Sequence, residues 1–424
     1  MNQRVNKVYE QLFIQNPKIR YFILCGGRGA GRSTVASQYA LAKLKDTTNY
    51  FRCAIMRFIL GDIRNSIYRE IYDRAEENNI LDQLEINDSI MKLEYVSNSI
   101  NAVGFKKSSG DQKSKLKSLA SYNCIIIEEA DEVAEEDFMQ LDDSLRTVKG
   151  DIKIILLLNP PAKNHWIIKR WMKLLPSEQS GFYDYELKDG VENTVLINTD
   201  YRDNIVNIAP QSVEQYEKYK ETKPNHYWNM IRGLVPETVQ GKIYNNWKVI
   251  DDIPHEARLE RRGLDFGYAN DPSALVAAYY YNGGYILDEE LYQKGMSNKQ
   301  IADTIKALKN PQLLIKADSA EPKSIDELKM YGLNVVPVIK GQDSVKQGIQ
   351  FVQAQQISVT KRSINLLEEY DNYAWKIDKD TGEPLNEPID MYNHALDSVR
   401  YLFDDLRLNE IDYSNLNDFS KYRI

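Results

Sequence analysis

Cysteine and histidine are scarce in this sequence, which has three cysteines and four histidines in 424 residues. Each cysteine, Cys25, Cys53 and Cys124, lies in an apolar run that is typical of a buried strand. The pattern predicts reduced, buried thiols in a cytosolic protein, and it excludes both a disulfide framework and a cysteine-based metal centre.

Long hydrophobic runs are missing as well. No apolar stretch reaches the roughly 20 residues that a membrane helix needs. The first residues, MNQRVNKVYEQLF, contain no hydrophobic core of a signal peptide. We therefore expect no association with a membrane.

An excess of positive charge is the third feature that the sequence lacks, because its formal net charge is −8. Binding of a nucleic acid would then depend on local basic patches. One run, Lys106 to Gly110, is followed by Lys113, Lys115 and Lys117. It is equally consistent with contacts to DNA or nucleotide phosphates and with a solvated loop.

The remaining composition is that of an ordinary globular chain, with 42% hydrophobic and 27% charged residues. The length allows two or three domains. Strand patterns alternate with helical patterns in the first half, which predicts a mainly parallel α/β sheet. We predict domains over 1–200 and 256–410, a linker or lid region over 201–255, and a tail over 411–424.

A glycine-rich turn near the N-terminus joins a predicted buried strand, Tyr21 to Cys25, to a predicted helix. The spacing fits the phosphate-binding motif G-x-x-x-x-G-K-[ST], although the planar Arg32 replaces the lysine. Backbone N–H groups of such a loop bind phosphate, and the Ser33 hydroxyl can hold Mg²⁺. The alternative is a turn that merely connects two elements. The predicted nucleotide-binding residues are Gly26, Gly27, Arg28, Gly29, Ala30, Gly31, Arg32, Ser33 and Thr34.

Two acids, Glu128 and Glu129, follow the apolar run that begins at Cys124. In a P-loop ATPase the first acid holds Mg²⁺ and its neighbour polarises the attacking water, whereas an acid cluster at a helix N-terminus is the alternative. Asn159 ends the next apolar run and either senses the γ-phosphate or caps the strand. Arg146 is a candidate arginine finger for a neighbouring subunit.

The second half predicts a three-stranded antiparallel meander that starts with GLDFG and places Asp265 in its first strand. Asp318 follows a later strand, and Asp397 lies three residues after His394 on a predicted helix, so these two share a face. A buried acid is costly unless it is paired or binds a metal. No partner Lys or Arg stands out beside these acids, and three such acids suit two Mg²⁺ or Mn²⁺ ions. Two such ions can support cleavage of a phosphodiester.

In their order along the chain, these motifs resemble those of bacteriophage terminase large subunits. The segments that carry the resemblance run from about Val5 to about Phe403, and they are GGRGAGRS, Arg57 with Arg64 and Ser66, KLKS, IIIEEADE, LLLNPP with His165-Trp166, TDYRDN, GLDFGYANDPSA, DSAEPKS and NHALDSVRY. The resemblance implies an N-terminal additional-strand ATPase and a C-terminal nuclease of the RNase H-like type.

Residue roles also follow from the resemblance. It implies that Arg32 and Ser33 hold phosphate and Mg²⁺, that Glu128 is the Walker B acid, and that Glu129 is the catalytic base. Asn159 falls in the coupling motif. The nuclease metal ligands would be Asp265, Asp318 and Asp397, with His394 beside them. Two questions stay open: whether Arg28 or Arg146 is the arginine finger, and whether Gln11 or Gln15 contacts adenine.

The function implied is ATP-driven movement of double-stranded DNA into a procapsid, together with Mg²⁺- or Mn²⁺-dependent cleavage of that DNA before and after filling. The implied partners are double-stranded DNA, the portal protein and a small terminase subunit. We expect a ring when assembled, a monomer in isolation, and a location in the host cytoplasm. Two alternatives are a repair or restriction-type ATP-dependent nuclease, which needs a second helicase domain that the sequence does not reveal, and a nucleotide-dependent switch without nuclease activity.

Overall fold

The computed structural model describes residues 5–106, 116–268, 271–341, 343–378 and 383–404. The chain divides into two compact units, Met1–Thr238 and Val239–Ile424. The predicted linker region 201–255 is shared between these units, and the predicted tail 411–424 lies outside the described residues, as do Lys107 to Lys115 of the basic run. The predicted domain boundaries stay predictions.

Unit 1 is built around a mainly parallel sheet. Its helices and strands are α1 (Glu10–Phe13), β1 (Tyr21–Gly26), α2 (Arg32–Lys45), β2 (Arg52–Ile59), α3 (Ile67–Glu77), β3 (Glu85–Asn87), β4 (Lys92–Tyr95), β5 (Asn98–Lys106), β6 (Cys124–Glu128), α4 (Glu135–Ser144), β7 (Lys153–Leu158), α5 (Trp166–Trp171), β8 (Met172–Pro176), β9 (Phe182–Leu187), β10 (Thr194–Thr199), α6 (Pro210–Thr222), α7 (Pro224–His226) and β11 (Val235–Pro236).

The strand order in the large sheet of unit 1 is β10-β1-β7-β6-β2-β5-β4-β3. Strand β7 lies between β1 and β6, and both neighbours run parallel to it. This is the additional strand that the resemblance implies, so the predicted ATPase fold is confirmed. Alternate residues of β1 point to two hydrophobic cores, one shared with α2 and α3 and the other with α4 and α5. Burial on both faces explains why the strands are continuous apolar runs.

Unit 2 contains a mixed sheet and the helices that cover it. Its elements are β12 (Lys248–Ile250), β13 (Arg258–Asp265), β14 (Ser273–Tyr281), β15 (Gly284–Gln293), α8 (Asn298–Ala307), β16 (Ile315–Ala317), α9 (Pro322–Met330), β17 (Val335–Pro337), α10 (Ser344–Gln353), β18 (Ile357–Thr360), α11 (Ile364–Asn372), β19 (Trp375–Ile377), β20 (Pro384–Pro388) and α12 (His394–Leu402).

The sheet of unit 2 has the order β12-β18-β15-β14-β13-β16-β17. Strands β13, β14 and β15 form the predicted antiparallel meander, and β16 is parallel to β13. Ser297 and Gln300 form a capping box at the start of α8. A meander that continues into parallel strands is the RNase H-like arrangement, so this part of the fold class is confirmed.

Several elements differ from the sequence-based expectation. The amphipathic pattern of Asn6 to Gln15 predicts a helix, but this stretch forms a 3₁₀ turn, Lys7–Tyr9, followed by the short α1. The strands β8, β9 and β10 had not been predicted, and β10 pairs with β1 along its whole length. In the described part of the chain, no helix combines the length and the apolar character that crossing a membrane requires.

Candidate active sites

The first site is the loop between β1 and α2. Gly26, Gly29 and Gly31 have φ angles of 152°, 78° and 83°, which only glycine adopts without strain. A Cβ on Gly27 would lie 1.8 Å from the carbonyl oxygen of Ile231, because the segment Tyr227–Ile231 packs directly on the loop. The glycines are therefore required by backbone geometry and close packing.

The backbone N–H groups of this loop divide into two sets. Gly27 N–H donates to the Thr199 carbonyl at 2.8 Å, and Arg28 N–H donates to the Met230 carbonyl at 2.6 Å. No described residue accepts a hydrogen bond from the N–H groups of the range 29–31. Because α2 also begins without a side-chain cap at Gly31, the loop forms a cradle that suits an anion.

Ser33 and Glu128 meet across the sheet, although they are far apart in sequence. The Ser33 hydroxyl donates to Glu128 Oε1 at 3.1 Å, while Glu128 Oε2 is buried and has no hydrogen-bond partner among the described residues. A hydroxyl beside a buried carboxylate oxygen that accepts no hydrogen bond suits Mg²⁺, which prefers oxygen ligands. The two predicted Mg²⁺ ligands are thus brought together.

Arg32 does not extend away from the loop. Its guanidinium donates to the carbonyl groups of Gly26 and Gly27, the latter at 3.0 Å, and to Asn159 Oδ1 at 2.8 Å. Arg32 therefore ties the loop to the end of β7, where the predicted coupling residue lies. The predicted contact residue Thr34 instead donates to Glu70 Oε1 at 3.1 Å.

Glu129 follows β6 in a left-handed conformation, with a φ angle of 52°. Arg57, at the end of the neighbouring β2, lies 3.9 Å from Glu129 Oε1 and 4.0 Å from both Glu128 and Glu132. One guanidinium thus lies within 4.0 Å of three carboxylates, and its single positive charge offsets part of their combined negative charge.

Sequence reasoning missed two residues that support the loop. The Tyr9 hydroxyl donates to the Ala30 carbonyl at 2.8 Å, and Asn204 Nδ2 donates to the Gly29 carbonyl at 2.9 Å. The only signal for Asn204 was its place in the TDYRDN segment. Gln11 lines a cavity beside β9 and β10 that includes no residue of the range 26–34, so the choice between Gln11 and Gln15 as the adenine contact stays open. Arg146 is exposed and Arg28 partly buried, and their roles stay predictions.

The second site lies where β13, β16 and α12 meet. Asp265 ends β13, Asp318 directly follows the adjacent β16, and α12 carries Asp397. Helix α12 approaches β13 closely, because a Cβ on Gly263 would lie 1.9 Å from the Ser398 carbonyl oxygen. The fold therefore brings three carboxylates from distant parts of the sequence into one region.

Asp265 is the most buried of the three acids, with 8% of its surface exposed. Burial raises its pKa to about 6, and the negative charges of Asp397 and Asp318 contribute. His394 Nδ1 lies 3.2 Å from Asp265 Oδ2. Burial alone would lower the pKa of His394, but the hydrogen bond and charge of Asp265 raise it on balance.

The other two acids have basic partners of their own. Lys340 forms an ion pair with Asp318, and Arg400 donates to Asp397 Oδ1 at 2.7 Å. The sequence-based view that these acids lack a basic partner is therefore wrong: Arg400 lies one helical turn after Asp397, and Lys340 reaches Asp318 through the fold.

No cluster of three or more His, Cys, Asp or Glu side chains that could hold a metal ion occurs within the described ranges. The oxygen donors and the concentrated negative charge are nevertheless those that a hard divalent cation needs. The metal-ligand roles of Asp265, Asp318, Asp397 and His394 stay predictions.

Glu369 was not predicted, although it is fully buried next to this site. It accepts hydrogen bonds from the Leu396 N–H at 2.9 Å and from the Tyr292 hydroxyl at 3.0 Å. Asn393 gives α12 no side-chain cap, so the carboxylate of Glu369 performs that role from α11. Burial raises the pKa of Glu369 to about 8.

Two family models match the chain, one in each unit. The model described as phage terminase large subunit matches residues 18–234, which is just over half of the chain. The model described as terminase RNAseH like domain matches residues 265–405.

Two curated relatives match nearly end to end. The chain is 26% identical to the terminase large subunit of Bacillus phage SPP1, with 90% of each chain covered. It is 25% identical to the PBSX phage terminase large subunit of Bacillus subtilis (strain 168), with 96% of this chain and 95% of that protein covered.

Solved structures of terminases also match. The large terminase of a thermophilic bacteriophage is 18% identical with a TM-score of 0.44, covering 95% of this chain and 98% of that chain. The Mn-bound nuclease domain of the SPP1 large terminase is 31% identical with a TM-score of 0.35, covering 38% of this chain and 96% of that chain. On the match over residues 18–234, the chain belongs to the phage terminase large subunit family, whose members are ATPases that carry a nuclease domain.

Proposed function

We propose that this chain hydrolyses ATP to move double-stranded DNA into a procapsid, and that it cuts the DNA with a two-metal endonuclease. The observation that carries the proposal is the occurrence of two sites in one chain. In unit 1 Ser33 lies against Glu128 beside the glycine-rich loop, and in unit 2 Asp265, Asp318 and Asp397 come together where the sheet meets α12.

In the ATPase site, the cradle of 29–31 binds the phosphates of ATP through backbone N–H groups. Ser33 and Glu128 would hold the Mg²⁺ that neutralises these phosphates. Glu129 takes the proton of the attacking water, because it is the next acid after the Mg²⁺ ligand and lies at a strand end. The bond between Arg32 and Asn159 couples the state of the loop to the end of β7.

In the nuclease site, Asp265, Asp318 and Asp397 would hold two Mg²⁺ or Mn²⁺ ions, with His394 as a further ligand or as a partner of Asp265. Such ions, when bound, activate a water and stabilise the leaving 3′-oxygen of a phosphodiester. Asp265 is fixed by β13 and by its N–H, which donates to Ser398 Oγ at 3.1 Å. The position of this carboxylate therefore depends on the docking of α12.

The proposed setting is the host cytoplasm, on the portal of a procapsid. The partners are double-stranded DNA, the portal protein and a small terminase subunit, and the active assembly is a ring of this chain. Support comes from the family and from curated relatives that are named as terminase large subunits over nearly their full length. Since the net charge is −8, we expect the isolated chain to bind DNA weakly. The binding that does occur should depend on contacts between local basic groups and phosphates, so it should fall steeply as the salt concentration rises.

The test is a pair of assays on purified protein: cleavage of plasmid DNA with Mg²⁺ or Mn²⁺, and ATP hydrolysis. We expect metal-dependent cleavage that Asp265→Ala abolishes while ATP hydrolysis continues. Cleavage that survives in Asp265→Ala would remove Asp265 from the nuclease site. A wild-type protein that cuts with neither metal would contradict the nuclease half of the proposal and leave a nucleotide-dependent switch.

A further inference from the structure

Asp318 is the nuclease-site acid whose oxygens are most completely engaged by the protein itself. Its Oδ1 accepts a hydrogen bond from the Ala320 N–H at 2.8 Å and pairs with the Lys340 ammonium. Its Oδ2 accepts a hydrogen bond from the Tyr401 hydroxyl at 3.2 Å. A divalent cation that binds this carboxylate would share its oxygens with these partners, and the Lys340 ammonium is the one among them that carries a positive charge.

The three partners differ in how easily they can leave. The Ala320 N–H belongs to the same turn as Asp318, and Tyr401 is buried on α12. The Lys340 side chain is 41% exposed and comes from the segment that follows β17. Its flexible four-carbon stem makes the ammonium the partner that can be replaced at the lowest cost.

The basic partner of Asp397 makes a useful contrast. The Arg400 side chain is only 9% exposed, and it lies against Gly348 on α10, where an added Cβ would be 2.4 Å from Arg400 Cγ. Packing therefore fixes Arg400, and it stays beside Asp397 whatever else binds. Of the two cations that pair with these acids, Lys340 is the one able to exchange.

We propose that Lys340 is an internal counter-ion that competes with the divalent cation for Asp318, and that it thereby sets the cation affinity of the nuclease site. This inference rests on the proposed nuclease function. Without a bound cation, the ammonium offsets repulsion among the three carboxylates. When a cation binds, it takes over that role and Lys340 is released to solvent. Loss of the ammonium should therefore tighten cation binding, since it removes both a competitor and a local positive charge.

The experiment is calorimetric titration of Mn²⁺ into the full chain without nucleotide or DNA, with Asp265→Ala defining binding outside the site. Lys340→Met keeps the apolar stem and removes the charge, so we expect a dissociation constant lower by roughly threefold, the size of a half-exposed ion pair. Lys340→Arg keeps the charge and should bind as the wild type does.

Lys346→Met is the matched control, because Lys346 is 48% exposed, lies in the same unit and pairs only distantly with Asp343 at 3.9 Å. It should leave the affinity unchanged. Unchanged or weaker Mn²⁺ binding in Lys340→Met, or equal tightening in Lys346→Met, would overturn the role of Lys340 and leave the nuclease proposal intact. A wild-type protein that binds no more Mn²⁺ than Asp265→Ala would overturn both.

Discussion

The site of unit 1 is made largely of backbone, whereas the site of unit 2 is made of side chains. In unit 1 the phosphate cradle consists of N–H groups whose direction is set by glycines at positive φ. In unit 2 the three predicted metal-binding acids each have a basic partner, which is His394 for Asp265, Lys340 for Asp318 and Arg400 for Asp397. We therefore expect ATP hydrolysis to depend on the backbone shape of the loop and to tolerate a substitution of Arg32. DNA cleavage should instead depend on the charges around the three acids.

The largest expected effect concerns Glu129, the proposed general base of unit 1. Glu129→Gln should bind ATP, because the loop is unchanged, but ATP hydrolysis should fall by a factor on the order of 10²–10⁴ through loss of the general base. The measurements are ATP turnover and nucleotide binding. Glu132→Gln is the control, since Glu132 lies 4.0 Å from Arg57 and Glu129 lies 3.9 Å from it. Normal turnover in Glu129→Gln would exclude Glu129 as the base.

A second prediction tests whether disturbing a close backbone contact in one unit affects the activity of that unit alone. Gly263→Ala would place a Cβ 1.9 Å from the Ser398 carbonyl and push α12 away from Asp265. We expect the free energy of unfolding of unit 2 to fall by roughly 1–3 kcal/mol, with DNA cleavage lost and ATP hydrolysis kept. Calorimetry and both activity assays measure this.

The corresponding variant in unit 1 is Gly27→Ala, whose Cβ would lie 1.8 Å from the Ile231 carbonyl oxygen. It should impair ATP hydrolysis, and it should leave DNA cleavage unchanged because both residues belong to unit 1. Gly341→Ala is the neutral control, since nothing lies within 4 Å of an added Cβ there. If Gly263→Ala and Gly27→Ala each abolished both activities, the contrast between two separate sites would fail.

Glu369 gives a prediction of intermediate size. Glu369→Leu leaves the Leu396 N–H and the Tyr292 hydroxyl without their acceptor, which should destabilise unit 2 by about 1–3 kcal/mol. Glu369→Gln keeps an acceptor oxygen and should retain most of the stability and cleavage. Equal losses of stability and cleavage in the two variants would show that the hydrogen bonds accepted by Glu369 do not stabilise unit 2.

Glu369 should also make the stability of unit 2 depend on pH. Its folded-state pKa of about 8 lies above the ordinary value of 4.5, so its contribution to stability is complete below about pH 4.5 and is lost as the pH rises through 8. Glutamine does not ionise. The melting temperature of the wild type should therefore fall relative to Glu369→Gln between pH 5 and 9, and parallel curves would contradict this assignment.

Arg32→Lys should have the smallest effect. Lysine can supply the charge near the phosphates, but it cannot bridge the Gly27 carbonyl and Asn159 with a planar fork. We expect ATP hydrolysis to be kept or raised, within roughly tenfold of the wild type. Abolished turnover in a folded protein would mean that the link to Asn159 is itself required.

The contrast between the sites also explains what the sequence could predict. The loop Gly26–Gly31 and the acids after β6 are contiguous motifs, so their spacing alone indicated their chemistry. The three acids of unit 2 were found because each ends or follows an apolar strand or lies on a helix. Their basic partners were missed: Lys340 reaches Asp318 only through the folded sheet, although the spacing of Arg400 from Asp397 was a usable signal.

Other features were not predicted from the sequence because their local patterns are short or mixed. Strand β10, TVLINT, is partly exposed at the sheet edge and lacks the continuous apolar run of β1. Glu369 lies in an ordinary amphipathic helix, where an acid is usually exposed, and only the neighbouring α12 makes it buried. Tertiary contacts, which no local window contains, decide both cases.

The packing of the segment Tyr227–Ile231 on the P-loop has a mechanical consequence. The Arg28 N–H bonds to Met230, and Gly233 would place an added Cβ 2.5 Å from the nitrogen of Gly27. The loop and this segment are therefore in direct backbone contact, and the segment lies just before the end of unit 1 at Thr238. If the loop binds ATP or ADP, we expect any displacement of the loop to shift the range 227–233 as well. Slower hydrogen exchange over 227–233 on addition of nucleotide would register that shift.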